Sequence, residues 1–256
     1  MSDSKEEIWL RKKDDQEKLL LAGRKLNEST DNILRPLKGN KIIAAVSTGK
    51  ESIAMLSVLI EHGYDVFAVH RYFVKDLEFE EEVLQALENR FKLKILRLEE
   101  PVVRSMESDD VLMINKIWNI HATAINWSKW DRMIRRMAGC EWIATGIRKD
   151  DSPIRRLTLT KHPNPNPKLK KVYPLADWNK KYLWHYIKER NLPISKAYQW
   201  FNRSLDCLNI KHVYPIKKYA PKDYEKIASK FPLLDGLMWL YEKRGNEIGY
   251  EKIEEC

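Results

Sequence analysis

The chain of 256 residues is long enough for one substantial core, or for a domain with a small appendage. A hydrophobic content of 43% and an aromatic content of 10% exclude a disordered protein, and no apolar run is long enough to span a membrane. The net charge of +9 favours anionic partners, either a nucleotide or a nucleic acid. With 46 basic residues against 37 acidic ones, however, most of this charge is also consistent with an ordinary mixed surface.

Cysteine and histidine usage limits the metal sites that the sequence predicts. The three cysteines, Cys140, Cys207 and Cys256, are widely spaced, which favours a reducing compartment. They are too few for an all-cysteine iron–sulfur cluster or a four-cysteine zinc site, and the six histidines form no pair at metal-ligand spacing. The N-terminal residues lack a secretory pattern. We therefore expect a cytoplasmic protein with no membrane association, no iron–sulfur cluster and no structural zinc.

Hydrophobic periodicity divides the chain into three parts. Residues 1–38 predict a helical extension, residues 39–190 an α/β domain, and residues 191–256 a helical and irregular region packed on that domain. Strands are predicted at 42–46, 66–70, 94–98, 142–145 and 172–175. Helices are predicted between these strands. Asp177 is predicted to cap the helix that follows the fifth strand. This alternation indicates a Rossmann-like α/β fold, with a parallel five-stranded sheet and helices on both faces.

The transition from the first strand to the first helix is the most informative segment. The apolar run from Ile42 to Val46 leads into six residues, after which a helical pattern resumes: Ser47, Thr48, Gly49, Lys50, Glu51 and Ser52. A strand, a short polar loop and a helix N-terminus form the arrangement in which backbone N–H groups bind phosphate. It is not the common P-loop, because Ala44 and Glu51 stand where that motif has glycine and a hydroxyl residue. The alternative is a polar loop that only caps the helix.

A second polar segment, residues 146–156, follows the fourth predicted strand directly. It carries four cations within nine residues: Arg148, Lys149, Arg155 and Arg156. Ligands of parallel sheets bind beyond the carboxyl ends of the strands, so we expect this segment near the first loop. Arginine forks suit phosphate or sulfate, and Gly146 allows the backbone to approach a ligand closely. The alternative is a basic loop on a basic protein.

Three segments together resemble the phosphoadenosine phosphosulfate (PAPS) reductase family. This family belongs to the pyrophosphate-loop, or adenine nucleotide α-hydrolase-like, superfamily and includes phage-encoded proteins. Residues 47–52 are similar to its Ser-Gly-Gly-Lys-Asp-Ser loop, with Thr48 for glycine and Glu51 for aspartate. Residues 146–155 are similar to its Gly-x-Arg-Arg-x-acidic-Ser-x-x-Arg signature, and residues 172–178 to its Pro-Leu-x-Asp-Trp segment. The resemblance covers roughly residues 41–210.

The resemblance implies a role for each matching residue. The loop from Ser47 to Ser52 would hold the nucleotide phosphates, and Gly146 would lie against the nucleoside. The four cations would meet the sulfate or terminal phosphate, with Asp151 and Ser152 orienting the arginines. His70 ends the second strand, where many relatives carry Asp-Thr-Gly, and would stack on or hydrogen-bond the nucleotide. An ordinary core or surface histidine is the alternative.

The C-terminus departs from the family pattern. The family's cysteine nucleophile lies in a Glu-Cys-Gly-x-His segment, whereas this chain ends in Glu255 and Cys256 without the glycine and histidine. Cys256 is thus either the nucleophile or a terminal cysteine without a role. A family segment that often continues as Cys-x-x-Cys matches Cys207, but Ile210 replaces its second cysteine, so a redox or metal pair is not expected there.

Two classes of function follow from these observations. The first is an enzyme that binds the adenine nucleotide PAPS or ATP and acts at its sulfate or phosphate. As a PAPS reductase, it would use Cys256 as nucleophile and a thioredoxin-like reductant. As an ATP-dependent adenylating or sulfur-transfer enzyme, it would use Lys50 and Mg²⁺ to stabilise developing charge. The second class is a non-catalytic module that binds a nucleotide or a nucleic acid. A homodimer is compatible with both classes of function.

Overall fold

The sheet has the predicted architecture. The computed structural model describes residues 5–100, 127–202, 205, 208 and 210–244. The described strands are β1 (Ile42–Val46), β2 (Val66–Tyr72), β3 (Ile95–Glu99), β4 (Trp142–Ala144) and β5 (Lys171–Val172). They form one five-stranded sheet in the order β3-β2-β1-β4-β5. The prediction of a parallel α/β sheet with helices on both faces is confirmed.

Helices connect and flank these strands. The described helices are α1 (Lys5–Leu34), α2 (Lys50–Glu61), α3 (Glu78–Phe91), α4 (Trp127–Ala138), α5 (Pro153–Lys161), α6 (Lys180–Glu189), α7 (Ala197–Phe201), α8 (Ile210–Tyr219), α9 (Pro221–Lys230) and α10 (Leu234–Arg244). Single 3₁₀ turns occupy Arg35–Leu37 and Lys149–Asp151. Among the described helices, none has both the length and the apolar character needed to cross a membrane.

Some local predictions differ from the structure. The fifth strand ends at Val172 instead of continuing to residue 175, and Pro174, which has no N–H to donate, lies just beyond it. Asp177 does not cap α6, because the side chain of Asn179 accepts the N–H of Tyr182 in that role. The sequence predicts one or two helices over residues 109–138, between the third and fourth strands. Of these, residues 109–126 lie outside the described part of the chain, and α4 occupies Trp127–Ala138.

Contacts between residues group the chain into two compact units. Among the described residues, the first unit lies within the ranges 1–45, 50–66 and 140–192, and the second lies within 46–49, 67–139 and 193–256. The domain boundaries predicted at residues 38 and 190 stay a prediction.

Trp178 is the central side chain of the first unit. It is 1% exposed, and the rings of Tyr182 and Tyr186 meet its indole edge-on at centroid distances of 4.8 and 4.9 Å. Its Nε1–H donates to the hydroxyl of Thr30 in α1 over 2.9 Å, and that hydroxyl donates to the carbonyl of Pro174 over 3.0 Å. Buried indole N–H groups need such an acceptor. Helix α1 is therefore bonded into the core of this unit.

The last turns of α1 lie close to α6. A Cβ added to Gly23 would come within 2.6 Å of Cε2 of Tyr182, so glycine allows the two helices to approach here. The hydroxyl of the same tyrosine donates to Asn27 over 2.9 Å. Tyr186, one turn further along α6, donates to Ser57 in α2 over 3.1 Å. Helix α6 thus packs between α1 and α2 through its aromatic face.

In the second unit, a buried aspartate caps α3 from a distant part of the sequence. Leu77 stands at the N-cap position and has no side-chain acceptor to offer. Asp223 of α9, which is 1% exposed, instead accepts the N–H groups of Glu78 and Phe79 over 2.8 and 3.2 Å. Its carboxylate also lies 3.1 Å from Nζ of Lys226. The start of α3 is therefore held by α9.

Replacing Asp223 with alanine should destabilise the second unit. The change leaves two backbone N–H groups at the start of α3 without their acceptor, and we expect the free energy of unfolding to fall by about 1–3 kcal/mol. Urea unfolding of the two proteins measures the difference. Glu225→Ala, an exposed position on the same helix, is the matched control and should change the free energy by less than about 0.5 kcal/mol. Equal values for both variants would contradict the capping role.

Candidate functional site

The candidate loop joins the carboxyl end of β1 to the first turn of α2. Ser47 is exposed, whereas Thr48 is 1% and Ser52 is 6% exposed. The hydroxyl of Ser47 accepts the N–H of Gly49 over 3.2 Å, which tightens the turn into the helix. Helix α2 begins at Lys50, so the loop leads into a helix N-terminus, where N–H groups and the helix dipole favour an anion.

Gly146 brings the second predicted segment against this helix. Strand β4 pairs with β1 in parallel, with Ala144 opposite Ala44, so the two strands end side by side. A Cβ on Gly146 would lie 2.7 Å from the carbonyl carbon of Glu51 and 2.9 Å from the N atom of Ser52. Glycine is required because backbone atoms of α2 fill that space. The resemblance implies that Gly146 lies against a nucleoside. In the structure, the direction that a Cβ would take from Gly146 points at the first turn of α2.

Arg148 is a buried cation held by three elements. The residue is 4% exposed. Its Nη2 lies 2.8 Å from Oδ1 of Asp151 and 3.2 Å from Oε1 of Glu51, and its Nη1 donates to the carbonyl of Trp178 over 3.2 Å. The backbone N–H of Arg148 donates to Oδ2 of Asp151 over 2.8 Å. This arginine connects α2, the 3₁₀ turn and the segment before α6. Its guanidinium is already paired with protein groups, so it is not an open binding site for an anion.

Glu51 links the two cations of the loop region. Its Oε1 lies 2.6 Å from Nζ of Lys50 as well as 3.2 Å from Nη2 of Arg148. The Lys50 side chain is 13% exposed, and its ammonium lies 6.0 Å from the ring centre of Trp184. A carboxylate that bridges two cations fixes their positions and neutralises part of their charge. The carboxylate of Glu51 thus holds the ammonium of Lys50 near the start of α2.

The remaining cations of residues 146–156 have different surroundings. Nζ of Lys149 lies 2.6 Å from Oδ1 of Asp177. Burial raises the pKa of Asp177, but the hydrogen bonds from Lys149 and Ser29 outweigh it and leave the pKa below its usual value. Arg155 lies 2.9 Å from Oδ2 of Asp151, with half of its side chain exposed, and Arg156 is exposed. The hydroxyl of Ser152 accepts the N–H of Arg155 and caps α5. Arg155 and Arg156, on the first turns of α5, are therefore the accessible cations of this segment.

His70 lies near the loop's origin within the second unit. It is 2% exposed, and its Nδ1 lies 3.0 Å from the carbonyl oxygen of Val46. Burial lowers the pKa of His70 to about 4, so the imidazole is neutral at physiological pH. A neutral ring can donate from Nδ1 to that carbonyl, which supports the end of β1. The structure thus gives His70 a partner in the protein, close to the residue that begins the loop.

The structure also brings to the loop a residue that no sequence motif marks, Glu80. Thr48 of the loop donates to Oε1 of Glu80 over 3.5 Å, and Glu80 is 6% exposed. Four acidic residues lie close together at the start of α3, so composition alone does not distinguish this one. Helical periodicity does provide a signal, since positions 80, 84 and 87 share the buried face.

The structure brings several of the predicted residues together and leaves others apart. Lys50, Glu51, Ser52, Gly146 and Arg148 form one contiguous group in the first unit. Lys149 faces Asp177 instead. The predicted nucleophile Cys256 lies outside the described residues, as does Cys207.

Fold and site together define the class of this protein, a parallel α/β protein in which β1 runs through a short polar loop into a helix N-terminus. The model of the phosphoadenosine phosphosulfate reductase domain matches residues 41–212, and the chain belongs to this family. Adenosine 5'-phosphosulfate reductase 2 of Bacillus subtilis is 23% identical over 172 residues, which cover 66% of this chain and 72% of that protein. The phosphoadenosine 5'-phosphosulfate reductase of Gloeobacter violaceus is 28% identical over 187 residues, covering 70% and 74%.

Two solved structures are also similar. The PAPS reductase of Candida auris, in a phosphate complex, has 13% identity and a TM-score of 0.43, over 77% of this chain and 91% of that one. The U34-tRNA thiolase NcsA of Methanococcus maripaludis has 13% identity and a TM-score of 0.47, over 83% and 78%.

The comparison with the thiolase contradicts one expectation. The cysteine count predicts that the chain has no iron–sulfur cluster, yet the thiolase is solved with its [4Fe-4S] cluster. The prediction is wrong as an exclusion, because it assumes that cysteines of a single chain supply every ligand of the cluster. Three cysteines in a chain are therefore no ground for excluding a cluster.

Replacing Gly146 with alanine should disturb the contact between the two predicted segments. The added methyl group meets backbone atoms of Glu51 and Ser52 that cannot move away cheaply, so we expect a loss of about 1–3 kcal/mol in the free energy of unfolding. Thermal and urea unfolding measure it. Gly236→Ala in α10 is the matched control: a Cβ there meets nothing within 4 Å, and alanine favours the helix. If both variants were equally stable, the close approach at Gly146 would have no energetic importance.

Proposed function

We propose that this protein is a sulfonucleotide reductase. It binds an adenine nucleotide phosphosulfate with the phosphate on residues 47–52, and it releases the sulfate group as sulfite. The family membership supports the reaction class. The observation that carries the proposal is the packing of Gly146 on the first turn of α2, because it joins the two matching motifs at the carboxyl ends of neighbouring strands.

The loop and Lys50 would stabilise the leaving group. When the bond between sulfur and the bridging oxygen breaks, negative charge develops on the nucleotide phosphate. N–H groups at the start of α2 and the ammonium of Lys50 would balance that charge, and the Glu51 carboxylate, 2.6 Å from Nζ of Lys50, supports this by holding the ammonium in position. The exposed Arg155 and Arg156 are suited to the outer oxygens of the ligand.

Cys256 would carry the covalent step. Its thiolate attacks the sulfur of the phosphosulfate, the sulfur–oxygen bond breaks, and the nucleotide leaves with the electron pair while the sulfonate stays on Sγ. A thiol of a thioredoxin-type dithiol then attacks Sγ, and sulfite departs with the electron pair. The second thiol of the reductant closes its disulfide and returns Cys256 as a thiolate. The dithiol thus supplies the two electrons that reduce the sulfate sulfur.

Calorimetric titration with PAPS, adenosine 5'-phosphosulfate, ATP and AMP in parallel tests the ligand class. We expect a sulfonucleotide to bind more tightly than ATP, and Lys50→Ala to weaken this binding by about tenfold to a hundredfold, since charge-assisted contacts are worth about 1.5–3 kcal/mol. Lys181→Ala, at an exposed position on α6, is the control and should bind as the unchanged protein does.

The titration also separates the competing functions. Binding of ATP without any sulfonucleotide binding would replace the reductase by an adenylating or sulfur-transfer enzyme. Binding of DNA or RNA with a steep salt dependence, and of no nucleotide, would instead indicate a non-catalytic module.

Replacement of Cys256 with serine tests the covalent step. With a dithiol reductant present, sulfite release should fall at least about a thousandfold, because serine is a far weaker nucleophile, while nucleotide affinity stays the same. Sulfite measured over time and the titration described above check both parts. Cys140→Ser, between α4 and β4, is the control and should release sulfite at the rate of the unchanged protein. Undiminished sulfite release by Cys256→Ser would disprove the thiol mechanism.

A further inference from the structure

Glu80 is a buried carboxyl group beneath the candidate loop. It lies in the first turn of α3 and is 6% exposed, while Glu78 and Glu82 on the same helix are exposed. Its Oε1 accepts the hydroxyl of Thr48 over 3.5 Å, and Thr48 is itself 1% exposed. The pair couples α3 to a loop residue that stands where the related motif has glycine. The structure thus places an ionisable group in direct contact with the loop.

The charges around Glu80 are mostly negative. The carboxylates of Glu81 and Asp223 both disfavour the ionisation of Glu80. Each of them is paired with a cation: Nη2 of Arg97 lies 2.8 Å from Oε2 of Glu81, and Nζ of Lys226 lies 3.1 Å from Oδ1 of Asp223. Burial is the largest influence, and together with these neighbours it raises the pKa of Glu80 to about 8, against a smaller opposing effect of the Thr48 hydroxyl. At neutral pH the group is therefore mainly a neutral carboxylic acid.

We propose that Glu80 is a positioning residue that makes phosphate binding on this loop depend on a proton. The inference rests on the proposed function, since it requires the nucleotide phosphate to lie on residues 47–52. A neutral Glu80 holds the Thr48 side chain without opposing an anion. An ionised Glu80 places a negative charge, in a poorly screened interior, next to the site that must accept the phosphate.

The sign of the effect follows from linkage. A bound anion raises the pKa of Glu80 further, so the bound state retains the proton at a pH where the free protein has lost it. Below about pH 8 the affinity should be independent of Glu80. Above that pH, binding takes up one proton and the affinity should fall by at most about tenfold per pH unit.

The decisive measurement is the number of protons taken up on binding. PAPS is titrated into the protein from about pH 6.5 to about pH 9.5 in buffers of different ionisation enthalpy, which reports proton uptake directly. In the unchanged protein we expect uptake to rise from near zero toward about one proton across this range. Glu80→Gln keeps the shape and the acceptor but has no charge, so its uptake should stay near zero and its affinity should no longer fall. Glu82→Gln, an exposed glutamate of α3, should behave as the unchanged protein does.

A second variant tests the contact with the loop. Thr48→Val removes the hydroxyl that favours ionised Glu80, so the fall in affinity should begin at a higher pH. Thr48→Ser keeps the hydroxyl and should retain the original profile. These variants test the proposal even if Glu80→Gln folds poorly.

The outcomes distinguish this inference from the function on which it rests. If PAPS binds but the unchanged protein takes up no proton, or if Glu80→Gln takes up as many, the role of Glu80 is wrong and the reductase proposal stands. If PAPS and adenosine 5'-phosphosulfate bind at no pH, the proposed function fails, and this inference fails with it.

Discussion

The buried guanidinium of Arg148 is the interaction on which the candidate site depends. A charge in the interior costs several kcal/mol unless it is paired and hydrogen-bonded, and Glu51, Asp151 and the carbonyl of Trp178 provide the partners. These partners come from α2, from the 3₁₀ turn after β4 and from the segment before α6. One side chain therefore fixes three segments relative to each other, and the start of α2 keeps its place beside Gly146. Removing either carboxylate would leave this buried charge only partly compensated.

Much of the fold could be predicted from the sequence, because its signals are local. Buried parallel strands are short apolar runs, such as residues 42–46, that end abruptly in polar residues. The alternation of such runs with helical patterns specifies the parallel sheet, which the structure confirms. The same reasoning located the polar segment 47–52, which is visible between a strand and a helix without tertiary information. The helix begins earlier than predicted, because residues 50–52 already belong to the first turn of α2. Asp151 pairs with Arg148 and Arg155 in the structure, and the role of these residues toward a ligand stays a prediction.

What could not be predicted depends on partners that are distant in the sequence. Arg148 looks like an exposed anion-binding cation until the carboxylate of Glu51 is seen beside it. Asp177 and Asn179 are equally good caps by composition, and Lys149 decides between them because it engages the aspartate. Residues 191–256 are predicted only as helical and irregular, and the structure has helix α8 there although it contains Pro215, a residue that normally interrupts a helix. In each case tertiary contacts outweigh the local preference.

The contacts of Trp178 and Tyr182 reach residues that precede the family similarity. The family similarity starts at residue 41, yet the indole N–H of Trp178 finds its acceptor on Thr30, and the hydroxyl of Tyr182 finds Asn27. A fragment cut at the start of the family similarity would leave both donors without their acceptors and uncover an aromatic cluster. The residues that match the family are therefore fewer than the residues that must fold together. Helix α1 is part of the packed core of the first unit.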